Sequence, residues 1–134
     1  MLHVIVTILM AWSPLYGISK ATFKNTKHKF SLGPFVQIHH IIPRQFKKHP
    51  VISGFNIEDG SNYMFMPNAL GKQSISTRRP NHQGGHNAYN KYVASRLENI
   101  YRNSEDYEYV EQVQSLAKYL RTQIMNGCED IPWK

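Results

Sequence analysis

From Tyr89 onward the apolar residues recur at helical spacing, and before it they do not. Tyr89, Tyr92, Val93, Leu97, Ile100 and Tyr101 form one stripe, and Val110, Val113, Leu116, Ala117, Leu120 and Ile124 a second. Ser104 is the expected N-cap of the second helix and Gly127 its stop. Upstream, prolines cut the chain into short pieces. Residues 35–40 (FVQIHH) read as a strand stopped by Pro43, and Pro50 breaks whatever element Arg44–Lys48 makes. A turn at Asp59, Gly60 and Ser61 leads into a second strand, Tyr63–Met66, closed by Pro67. The order strand, strand, helix, helix makes the chain α+β: a short hairpin packed on one helix, with an additional C-terminal helix completing the core.

A chain of 134 residues that is 41% apolar can bury one modest core, which sets one domain as the expectation. Its net charge of +7 favours a polyanionic partner, nucleic acid first and an anionic membrane second. The charge is uneven. Residues 1–97 hold twelve Lys/Arg against only Glu58 and Asp59, whereas residues 98–134 hold four against seven acids. The single cysteine, Cys128, excludes an intrachain disulfide and a zinc site built on two or four thiolates of this chain. Any metal must fall to His, Asp, Glu or Asn, and there are seven histidines.

Residues 1–18 carry the apolar run LHVIVTILMAW, as long as a signal-peptide core and too short to span a bilayer. No Lys or Arg precedes it, and its β-branched Val4–Ile8 suit a strand equally well. A cleaved signal implies secretion; a retained strand implies an intracellular protein. Residues 19–31 read as a basic linker able to lie along a phosphate backbone, and residues 32–134 as the folded domain.

Three features carry chemistry: the adjacent His39-His40, Asn62 before the second strand, and His82-Gln-Gly-Gly-His86 opening the first long helix. Neighbours on a strand point to opposite faces, so one histidine of the pair can face a metal while the other faces substrate. Positions four apart share a helix face, so His82 and His86 can hold one ion, with His39 as a third ligand. Three imidazoles and an open fourth position match a catalytic rather than a closed structural site. Two variants stay open: Gly84 and Gly85 weaken a helix there, so that His82 reaches the metal from a loop, or His86 pairs with Asn90 instead of His82. Each histidine alone is commonplace; the ordered conjunction is not.

In QIHHIIP (37–43), GFNIEDGSNYMFMP (54–67) and HQGGHNAYNKYV (82–93) the chain resembles the HNH, or ββα-metal, endonucleases, most closely their AHH-type (HNH/Endo VII) group. Ile38 stands where that group takes its name from alanine. The resemblance covers residues 35–97 and implies a ββα-metal core with one divalent ion, Zn²⁺, Mg²⁺, Mn²⁺ or Ni²⁺, between hairpin and helix. It further implies that His39, His82 and His86 are ligands, that His40 is the general base, and that Asn62 holds the His40 ring through its amide oxygen. Arg44, Arg78 and Arg79 flank these motifs and are expected to hold substrate phosphates.

The implied activity is phosphodiester hydrolysis of nucleic acid, DNA before RNA, with little sequence selectivity, since nothing in the chain reads as a base-reading element. An inhibitor protein is an expected partner if the nuclease is a toxin, and no stable membrane association is expected. The rival from another class is a non-catalytic, metal-stabilised nucleic-acid-binding module. Asn62 discriminates between the two, since an inert metal knot has no use for an amide orienting a non-ligand histidine. A peripheral membrane protein ranks last, because it leaves the histidine order unexplained.

Overall fold

The structure is a computed structural model and describes residues 20–29, 31–74, 76–82 and 84–134. Its elements are α1 (Lys20–Lys29), β1 (Val36–His40), β2 (Tyr63–Pro67), α2 (Ala69–Ser74), α3 (Asn87–Asn103) and α4 (Tyr109–Met125). Short 3-10 turns lie at Arg44–Phe46, Pro50–Ile52, Gly60–Asn62 and Asp106–Glu108. The fold is α+β, as expected, and compatible with an HNH-type nuclease. The segment 1–18 lies outside the described residues, and among those described no helix is long and apolar enough to cross a membrane.

β1 and β2 pair antiparallel, with Val36 opposite Pro67, His39 opposite Met64 and His40 opposite Tyr63. Both strands end where the prolines predicted, since Pro cannot donate to a ladder. Alternation gives the hairpin two buried faces. Met64 and Met66 join the main core with Val93 and Leu97 of α3 and Val113, Leu120 and Ile124 of α4. Tyr63 and Phe65 point the other way, into a smaller core with Val36, Leu32 and Phe23 of α1.

That second core corrects the reading of residues 19–31 as a linker. Lys20–Lys29 is helical, and its Phe23 is buried with its ring 5.6 Å from Tyr63 and 5.3 Å from Phe65. The segment is polar almost throughout, so the apolar part of its attachment rests on Phe23 and no periodicity announces it.

The two long helices lie where the stripes put them, with Tyr89, Val93 and Leu97 fully buried and Tyr101 and Val110 exposed. Ser104 closes α3 instead of opening the next helix. The entry into α4 is capped by Glu105 and Glu108, whose side chains reciprocally take each other's backbone N–H. Gly127 does stop α4: at φ +93° it lets its own N–H reach Ile124 O and the Cys128 N–H reach Gln123 O.

Candidate active site

His39 sits on the β1 face turned toward α3, and its imidazole is buried. Nδ1 lies 3.0 Å from His82 Nε2, and one ring nitrogen from each of His39, His82 and His86 falls within 4.8 Å of the others. The three converge from a strand, a loop and a helix start. α3 begins only at Asn87, with His86 as its N-cap, so His82 and His86 do not share a helix face. Gly84, at φ +88°, turns the chain between them. The His82 backbone N–H donates to Pro67 O at 2.8 Å, which fastens this loop to the end of β2.

Neighbouring amides set the ring orientations. His82 Nδ1 lies 2.6 Å from Gln37 Oε1, and His86 Nδ1 lies 3.2 Å from Asn90 Oδ1. An amide oxygen only accepts, so both Nδ1 atoms carry the proton and both Nε2 atoms keep a lone pair. Asn90 therefore orients His86 while the other side of the ring faces the cluster. Trp133 covers the group from the chain's C-terminal end, its ring 5.0 Å from His86 and 5.4 Å from His39.

The electrostatics favour neutral imidazoles. Burial, reinforced by His82, His86 and His40, holds His39 well below its ordinary value, and burial with His86 pulls His82 down to about 4. Neutral imidazole is the metal-ligating form. His39 Nε2 is buried without a hydrogen-bond partner among the described residues. Nitrogens sharing one tetrahedral ion at about 2.0–2.1 Å stand about 3.3 Å apart, close to the separation of His39 and His82. The donor set fits a single divalent cation.

His40 points to the opposite face, as strand alternation requires. Its Nε2 lies 3.4 Å from Glu58 Oε2, and its ring stands edge-on to Tyr63 at 4.7 Å. Tyr63 Oη donates to the same carboxylate oxygen at 2.6 Å, and Arg44 Nε pairs with the other at 3.0 Å. The Tyr63 hydroxyl first, then His40 and Arg44, lower the Glu58 carboxyl to about 2. A cleft of about 290 Å³ is lined by His39, His40, Arg44, His82, His86 and Asn90 among others. The strand end thus opens both histidine faces to one space.

Asn62 does not hold the His40 ring. It is fully buried, its Oδ1 accepts from Ile42 N–H at 2.8 Å, and its Nδ2 donates to Ile42 O and Ile57 O, both at 3.0 Å. Where the hairpin opens, these backbone groups leave the ladder and need partners away from water, and the amide supplies them. Asn62 fixes the segments that carry His40 and Glu58 rather than the imidazole itself.

Arg79 is corrected as well. It is buried, its Nη1 donates to Phe65 O at 2.7 Å, and burial with the nearby Arg121 pulls it down to about 10. It braces β2 and is not available to a phosphate. Arg78 is exposed but lies outside the residues lining the cleft, whereas Arg44 lines it.

A family model described as "a nuclease family of the HNH/Endo VII superfamily with conserved AHH" matches residues 21–120. The chain belongs to the AHH nuclease family. Neither the curated proteins nor the solved structures contain a match to it. Its one adjacent histidine pair, His39-His40, follows Ile38 rather than the alanine of the family's name. Ile38 belongs to the β1 face packed against the smaller core, where a larger apolar side chain adds contact without altering a chemical group.

Sequence reasoning missed three residues of this AHH nuclease site: Glu58, Gln37 and Trp133. Glu58 did leave a trace, being one of two acids in the basic first 97 residues. Gln37 stands two positions before His39, on the same strand face. Trp133 left no local signal, because 52 residues separate it from Asn81, whose carbonyl accepts its indole N–H at 3.2 Å.

Proposed function

We propose that this AHH nuclease is a metal-dependent endonuclease that hydrolyses phosphodiester bonds of DNA with little sequence selectivity, through a ββα-metal centre. His39, His82 and His86 hold one divalent ion. As a Lewis acid, that ion would stabilise charge on the phosphoryl group and the leaving oxygen. His40 acts as general base and takes a proton from the attacking water. Glu58 accepts from Nε2–H of His40, which leaves the lone pair on Nδ1 for that proton. Tyr63 and Arg44 hold the carboxylate in place, so Glu58 takes the orienting role expected of Asn62. A positioned base contributes roughly 10²–10⁴-fold to rate.

The observation that carries this reading is the pairing of functions across one strand end. Three imidazoles gather on the His39 side, and a carboxylate-bound histidine stands beside them in the same cleft. A purely binding module needs the first and has no use for the second. Digestion of supercoiled plasmid tests the reading. Nicking is expected with divalent metal and not with chelator, and His40→Ala should lower the rate by roughly 10²–10⁴-fold while metal affinity stays near the parent's. Unchanged cutting by His40→Ala would overturn the assignment of the base.

A further inference from the structure

A larger cleft, of about 620 Å³, opens between α1 and β1, on the other side of Ile38 from the histidines. Lys24, Lys27 and His28 of α1 line one wall, and Gln37 and Ile38 of β1 line the other. Ile38 borders both clefts, and Gln37 is the residue whose amide oxygen holds His82. The two spaces therefore follow one another along β1, whose outer edge has no third strand among the described residues. Among the described residues, none lining either cleft is acidic. Neither Lys24 nor Lys27 has a carboxylate partner among the described residues.

We infer that the α1–β1 cleft binds the sugar-phosphate backbone of the nucleic-acid strand beyond the scissile bond, with Lys24 and Lys27 neutralising its phosphates. A polyanion threaded through the histidine cleft and past Ile38 meets these two ammonium groups next. An acidic protein surface would also satisfy the charge. It would not call for a cleft that shares Ile38 with the histidine cleft, so nucleic acid is the occupant the geometry favours. The helix read from sequence as a basic linker thereby becomes one wall of the substrate path, attached to the hairpin by Phe23. The inference rests on the proposed endonuclease reading for the direction of the strand.

The test measures binding of a short fluorescein-labelled DNA duplex, with phosphorothioate links that resist cutting, to the protein as purified across a salt series. Each lost phosphate contact lowers the slope of log affinity against log salt by about 1. Lys24→Ala/Lys27→Ala should therefore weaken binding and reduce that slope by about 2, and Lys24→Arg/Lys27→Arg should restore it. Lys118→Ala, an exposed lysine on α4, should match the parent. A slope for the double alanine variant equal to the parent's overturns the inference, as does an equal loss in Lys118→Ala. Plasmid digestion run in parallel keeps the two readings apart. Parent protein that binds through Lys24 and Lys27 but cuts nothing loses the catalytic reading and keeps this cleft, and the reverse result loses only the cleft.

Discussion

At the scale of single residues, the site turns on which partner each polar atom takes. Glu58 is the clearest case. Its carboxyl, lowered to about 2, stays ionised through the whole range in which the fold can work, and it faces His40. Glu58→Gln keeps the shape and removes the charge. A neighbouring carboxylate favours the protonated imidazole, so its removal should move the acid limb of the pH–rate profile to lower pH. The maximal rate should fall as well, because the ring loses its charged anchor. A pH–rate profile of plasmid nicking checks this, and an unmoved acid limb would reduce Glu58 to a structural role. The histidines of the cluster were legible in the sequence as an ordered motif, although a loop and a helix start, not a shared helix face, bring His82 and His86 together. Glu58 left only its rarity as an acid in a basic stretch, since a single residue in a turn carries no periodic signal.

At the scale of elements, α1 is the piece whose importance exceeds its appearance. Phe23, its one buried side chain among those described, meets Tyr63 edge-on, and Tyr63 holds the carboxylate that meets His40. Removing that ring should cost about 3–5 kcal/mol in stability, with Phe23→Ala read by denaturant melting. If α1 supports the site through Tyr63, the same variant should also lose plasmid nicking at temperatures where it remains folded. A melt within about 0.5 kcal/mol of the parent would show that α1 is not part of the core. The long helices needed no such indirect reading. Apolar stripes at a period of 3.6 specify α3 and α4, and only the cap was misplaced, because Ser104 and the Glu105–Glu108 pair compete for adjacent positions.

At the scale of the whole molecule, the histidine cluster links folding to protons and metal. His39 is buried and His82 half-buried, both favoured neutral, with His82 held at about 4 against 6.5 for the free side chain. Between those values the unfolded chain binds more protons than the native one, so stability should rise with pH from about 4 to about 6.5 and level off above. Thermal melts of chelated protein across that range check the direction, and His82→Ala should flatten the rise. Divalent metal binding only the native state should stabilise it further, by about 2.7 kcal/mol at a hundredfold excess over Kd, and so raise the melting temperature. A melt insensitive to Zn²⁺, Mg²⁺, Mn²⁺ and Ni²⁺ alike would remove the metal centre from the account.

The sequence by itself determined what short-range periodicity can encode. It set two strands bounded by prolines, two helices marked by apolar stripes, and His39 and His40 on opposite strand faces. It also set the order of motifs that marks the family. Tertiary structure decided where side-chain hydrogen bonds go. Asn62 turned to the backbone of Ile42 and Ile57, Arg79 sank beneath β2, Gln37 took His82, and Trp133 closed over the cluster. A repeat of two or 3.6 residues fixes the face a side chain occupies. Its partner depends on which distant segment packs there and on which buried backbone groups that packing leaves to be satisfied.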